Sequence, residues 1–202
     1  MTRTLPAKIP LCVPPWDEAE ALAEGAKYDK SFGFYAEPTA HLDALWTWLP
    51  RRYRDLEAAA LLPEMLPDST WEKNVRHLMG QEVWDRMRRH AYKAAGYRCE
   101  ICGTQGALEA HEWFELDDSH ATQRLKRVIA LCPLCHKVHH LGIARRLGML
   151  AEVRSHMKTV NGWTDSELET AIAEAYDVWA QRCQWHWHVD LSWLYRSGYI
   201  HV

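Results

Sequence analysis

Apolar positions along this chain follow two different periods, and the change from one to the other divides it into segments. Between residues 8 and 50 the pattern is short and broken. An apolar stretch, IPLCVP, has strand character. The acidic DEAEALAEGA has helical spacing and stops near Gly25. KYDKSFGFYAE reads as an aromatic strand, and HLDALWTWL as a helix between Pro38 and Pro50. Residues 1–50 are therefore expected to form a small strand–helix–strand–helix module. A connector over 51–68 follows, with a helix expected over DLEAAALL.

Beyond residue 68 the helical period dominates. Ser69 or Thr70 is placed to cap a helix WEKNVRHLM. QEVWDRMRRHAYKAA reads as a second helix, with Val83, Trp84, Met87 and Tyr92 at near-helical spacing, and Gly96 stops it. Near the C-terminus Thr164 and Glu167 form a T-x-x-E capping box. It opens a helix whose apolar face is expected to carry Leu168, Ile172, Tyr176 and Trp179. WHWHVDLSWLY then alternates as a half-buried strand, with Asp190 capping a last helical turn. Residues 69–202 thus read as one domain whose helices wrap something small.

Composition narrows the class. A chain of 202 residues with 48% hydrophobic content can bury a core of its own. No apolar run reaches the roughly 20 residues a membrane span needs, and MTRTLPAKIP lacks the apolar stretch of a secretory signal. A cytoplasmic protein without a membrane partner is expected. The net charge is −3, yet residues 85–158 hold 13 Lys or Arg against 8 Asp or Glu, a basic segment inside an acidic average. The eleven tryptophans, Trp46, Trp48, Trp84 and Trp179 among them, are read as packing residues.

The basic segment contains the chemistry. Four of the six cysteines form two Cys-x2-Cys pairs, Cys99/Cys102 and Cys132/Cys135, which in a reducing compartment points to metal rather than disulfides. Four thiolates are the donor set of a closed tetrahedral structural Zn2+ site. Arg98 and Lys137 lie close enough in sequence to offset the formal charge of −2. Cys12 and Cys183 stand alone and are read as small buried hydrophobes. Three histidines, His136, His139 and His140, follow the second pair, and His111 follows the first. On a helix, His136 and His140 would share a face at about 5–6 Å and could hold a second divalent ion such as Mg2+, Mn2+ or Ni2+.

Together YRCEICG, LEAHEW and ALCPLCHKVHH resemble the HNH endonuclease superfamily with its ββα-metal motif, over residues 97–145. The resemblance implies a strand bearing a base histidine after the first cysteine pair. It also implies a helix opened by the second pair, with metal-binding histidines just behind. His111 matches the base, and His136 and His140 match the helix ligands, so these three are the expected catalytic residues. The implied fold is α+β, a mainly helical domain around a ββα-metal zinc motif. The implied activity is metal-dependent hydrolysis of DNA phosphodiester bonds. Arg124, Lys126 and Arg127 are the expected backbone contacts.

Two positions depart from the pattern. Ala110 stands where the superfamily commonly has a metal-binding Asp or His, and Arg127 falls where an Asn orients the base. Glu112 or Glu109 could supply the missing carboxylate, and Asn161 or His156 could enter from outside the motif. The N-terminal unit, with Gly25, Ala26 and Asp29 in a turn between an acidic helix and aromatics, resembles a small module of unknown function on bacterial and plasmid DNA-processing proteins.

The alternative reading is a zinc-stabilised module that binds nucleic acid or protein without cleaving. A zinc deaminase requires His-x-Glu and a Pro-Cys-x2-Cys; here His111 and Glu112 are adjacent and Pro133 lies inside the pair. A thioredoxin-like use of the cysteines fails for want of a βαβ pattern. His139 is read as packing, His186 and His188 as an amphipathic edge, and His77, His90, His120 and His201 receive no functional role.

Overall fold

The computed structural model describes residues 5–54, 59–71 and 73–200; for Arg51 the backbone alone is described. The fold is α+β. Its first unit is a three-stranded antiparallel sheet, β1 (Ile9–Pro10), β2 (Lys27–Asp29) and β3 (Gly33–Ala36), in the order β1-β3-β2, with α1 (Glu18–Ala23) between the first two strands. KYDKSFGFYAE is therefore a hairpin rather than one strand, because Asp29 accepts the amides of Ser31 and Phe32 and turns the chain. HLDALWTWL forms turns and a short 3-10 helix, Trp46–Trp48, rather than an α-helix. Ile9, Ala21, Leu45, Trp48 and Leu49 close a core of the unit's own, while Trp46 is exposed.

The helix expected over 55–62 falls on residues 55–58, outside the described residues, and 59–62 are not helical. α2 (Val75–Ala94) starts later than the sequence suggests. The Thr70 hydroxyl is taken by Pro67 O and Gln123, and the Ser69 hydroxyl accepts the Trp187 amide, so the N-cap is Asn74, which accepts from His77 N at 2.8 Å. Within α2, Gly80 sits at φ 83, ψ 170, a conformation open to glycine, and breaks the helix there.

A second sheet forms the centre. β4 (Glu109–Asp117) and β5 (Thr122–Leu131) pair antiparallel, with a bulge between Trp113 and Phe114. β6 (His188–Asp190) lies parallel along the start of β5. α3 (Pro133–His139), α4 (Leu141–Arg146), α5 (Leu150–Asn161) and α6 (Asp165–Arg182) follow β5, and α7 (Ser192–Arg196) follows β6.

The period-two alternation of β4 and β5 separates two cores. On one face Phe114, Leu125 and Val128 pack with α2 and α7 through Met87, Ala91 and Leu194. On the other, Ile129 and Leu131 pack with Leu61, Val138, Leu141, Val153, Met157 and Leu168. The capping box forms, with Thr164 and Glu167 each bonding the other's backbone. The apolar stripe of α6 is buried only at its start: Leu168 is enclosed, whereas Tyr176 is exposed and edges against Trp179. Among the described residues no helix is long and apolar enough to cross a membrane.

Candidate metal centre and histidine cleft

Two turns bring the cysteines together. In the first, Gly103 N donates to Cys99 O at 2.9 Å and Cys99 N to Thr104 O at 2.9 Å; Gly103 takes φ 77, which closes the knuckle tightly. In the second, Cys132 is the N-cap of α3 and its Sγ accepts from Cys135 N, with Pro133 in the first turn, where its missing N–H costs nothing. One sulfur from each of Cys99, Cys102, Cys132 and Cys135 lies within 4.8 Å of the others. Bonds of about 2.3 Å from a tetrahedral zinc put sulfurs about 3.8 Å apart, and Cys102 Sγ and Cys132 Sγ stand 3.7 Å apart.

Four sulfurs this close cannot all ionise without a cation. Hydrogen bonds from Cys102, Cys132 and Cys135 pull the Cys99 thiol far down, while the neighbouring thiols push Cys135 far up. The cluster is able to bind a metal such as zinc. Around it, His156 of α5 brings Nε2 to 3.1 Å from Cys135 Sγ, so His156 serves the sulfur cluster and not the histidine cleft. Of the two cations expected near the cluster, Arg98 reaches Gly103 O, and Lys137 lies 3.7 Å from Glu109. Cys12 is buried as expected, but Cys183 is only partly so and accepts the Asp68 amide.

Immediately behind the cysteines, α3 presents histidines to β4. His111, His136 and His140 each offer a ring nitrogen within 4.8 Å of the others. Ring centroids lie 5.1 Å apart for His111 and His136, 5.2 Å for His111 and His140, and 4.8 Å for His136 and His140. The three expected catalytic residues therefore lie in one cluster. α3 ends at His139, and His140 is its non-helical C-cap (φ −122, ψ 51). The His136–His140 pair is thus set by the α3–α4 turn, not by a continuous helix.

His136 and His140 are both held below the ordinary histidine range, chiefly by burial and then by His111; His140 falls to about 3. Each ring is therefore neutral near pH 7, the form that ligates metal. His136 Nδ1 meets the carboxylate of Glu109, the partner that fixes a ligating imidazole's tautomer and leaves Nε2 for a metal.

Glu109 and His111 share a face of β4 and both address α3, so strand alternation alone delivers imidazole and carboxylate to one side. Glu112, carried as a possible metal ligand, belongs elsewhere: it points to the opposite side and accepts the Val75 amide at the start of α2. Ala110 packs in the core beside α2. His139, read as packing, is buried in parallel contact with His111, centroids 4.7 Å apart.

A residue missed in the sequence completes the cleft. Glu64, 47 residues before His111, brings Oε2 to 2.5 Å from His111 Nε2 and to 4.0 Å from His139 Nδ1. It lies in LLPEMLP, where neither period nor motif marks it. Asn161, the last residue of α5, does not enter the cleft. It donates to Leu61 O at 2.7 Å and accepts from Leu61 N at 3.0 Å.

The expected phosphate contacts are placed differently. Arg127 is buried and bonds Glu100 at 2.6 Å, so it cannot reach a polyanion. Arg124 is bound by Asp190 and Glu115, and Lys126 by Glu115. No family model matches the chain, and neither the curated proteins nor the solved structures yield a match.

Proposed function

We propose that this protein is a metal-dependent endonuclease of HNH-like type, hydrolysing DNA phosphodiester bonds. The observation that carries the reading is the convergence of His111 from β4 with His136 and His140 from the end of α3, their ring nitrogens within 4.8 Å of one another. In this reading the four cysteines hold a structural zinc that pins α3 against the β4–β5 hairpin, and hairpin plus helix act as a ββα-metal motif.

His136 and His140 are the residues that would hold a second divalent ion, such as Mg2+, Mn2+ or Ni2+. That ion would supply Lewis-acid stabilisation of the crowded phosphate and the departing 3' oxygen. His111 is the general base, taking a proton from water as the oxygen approaches phosphorus. Glu109 keeps the His136 ring in a ligating orientation.

The test is nicking of supercoiled plasmid by purified protein with each of the three ions. Wild type should convert plasmid to open circles, and His111→Ala should fall to background. Equal, background-level signals from both would remove the proposal.

A second reading, a zinc-pinned module that binds nucleic acid or protein without cleaving, is favoured by one observation: Ala110, where a metal-binding side chain is expected, packs in the core beside α2 and offers no donor. Retention on a DNA column without nicking, with one metal ion per chain, would select it.

A further inference from the structure

The position where an Asn would orient the base histidine holds Arg127, and Arg127 is committed to Glu100 on the far side of β5. His111 nevertheless has a fixed partner. Glu64 Oε2 lies 2.5 Å from His111 Nε2, and the Glu64 side chain is only 14% exposed. An ionised carboxylate can only accept, so Nε2 carries the N–H, and in the neutral ring the lone pair is then on Nδ1. That is the tautomer a general base needs if it is to take a proton through the other nitrogen. The same carboxylate stabilises the imidazolium that then forms.

The loop carrying Glu64 is held from a distance. Asn161 satisfies both backbone polar groups of Leu61, whose side chain is fully buried in the core around the cysteine cluster. Pro63 and Pro67 stiffen the three residues between them. A paired clamp on the backbone, an anchored leucine and two prolines deliver one acid to one imidazole.

We propose that Glu64 is the positioning residue for His111, replacing from a separate loop the orienting group that the hairpin lacks, and that Asn161 fixes the loop that presents it. The inference rests on the endonuclease reading for its catalytic consequence, but its structural core does not depend on cleavage. Glu64 touches neither substrate nor metal in this scheme; it acts through His111.

Two readouts test it on the whole 202-residue chain. The first is the tautomer of His111, read from the 15N shifts and couplings of the imidazole ring. Wild type should show Nε2 protonated and Nδ1 bare. Glu64→Gln, whose amide can donate as well as accept, should mix or invert the two forms, and Glu64→Asp should restore the wild-type signature in part.

The second is plasmid nicking under saturating divalent ion. Glu64→Gln should lower kcat by roughly 10²-fold or more while KM stays within about threefold, since general-base function contributes on the order of 10²–10⁴. Asn161→Ala should lower kcat less, in the same direction. Cysteine-bound metal content and the thermal melt of each variant show whether it is folded.

An unchanged His111 signature in folded Glu64→Gln overturns the proposal, as does wild-type kcat in that variant. A wild type with the expected tautomer but no nicking activity overturns the endonuclease reading instead, and leaves the Glu64–His111 assignment supported.

Discussion

Cys135 and His136 are consecutive residues of α3 that face two different centres. Cys135 Sγ lies 3.1 Å from His156 Nε2 within the sulfur cluster, while His136 Nδ1 meets Glu109 across the histidine cleft. One helical step, about 100° of rotation, separates a sulfur of the cysteine cluster from an imidazole of the histidine group. The placement of α3 by the cysteines therefore fixes the position of the histidines as well.

This coupling has a direct consequence for metal removal. With an ion held by the four cysteines, elemental analysis should find one tightly bound zinc per chain, plus a weaker second ion lost from His136→Ala alone. Stripping the tight ion should unfold 97–145 and abolish the weaker site at the same time, because binding energy of a structural zinc is folding energy. Loss of far-ultraviolet circular dichroism on chelation, reversed by zinc, checks this. A chelated protein with an unchanged spectrum would contradict it.

The Arg127–Glu100 pair should be structural. Both side chains are nearly excluded from water, Glu100 also accepts the Ala130 amide at 3.0 Å, and Arg127 reaches Leu49 O in the N-terminal unit. Removing one member leaves the other buried and uncompensated, a loss of about 3–5 kcal/mol. Arg127→Ala and Glu100→Ala should each lower the denaturant midpoint strongly. In a double-mutant cycle the two losses should be far from additive.

Lys126 and Arg124 should behave in the opposite way. Their shared partner Glu115 is exposed and Asp190 is partly so, and such pairs contribute roughly 0–1 kcal/mol. Lys126→Ala should leave the melt nearly unchanged. If the protein binds DNA, Glu115→Gln should strengthen binding at low salt by releasing Lys126, while Arg124 stays with Asp190, an increase readable by fluorescence anisotropy.

The histidine cleft should make the protein sensitive to acid. Burial, then repulsion from His111 and His136, keeps the His140 pKa at about 3, and burial lowers His136 as well. The unfolded chain, with histidines near their ordinary value of about 6.5, binds these protons more readily than the folded one. The stability contributed by the neutral rings is therefore complete above pH 6.5 and is lost as pH falls toward 3. Urea midpoints without added divalent ion should decline from pH 7 to pH 4. His140→Gln should show a shallower decline.

Much of the scaffold was legible without coordinates. Cys-x2-Cys pairs announce a metal cluster through donor chemistry alone, the T-x-x-E box announces the start of α6, and the period of LEAHEW places Glu109 with His111. Local rules failed where a distant group claimed the same atoms. The hydroxyl of Thr70 looked like a helix cap until Gln123, 53 residues away, took it. Arg127 looked like a phosphate contact until Glu100 buried it.

The sequence by itself determined the donor types and their spacing: four sulfurs, three imidazoles close behind, and a strand that turns one histidine and one glutamate the same way. Only the tertiary structure decided which acid meets His111. Glu64 has no periodicity or motif to mark it, and its contact with His111 depends on Asn161 holding Leu61 across 100 residues. Spacing encodes what neighbours along the chain can do, whereas a contact between loops is selected by the packing of everything between them.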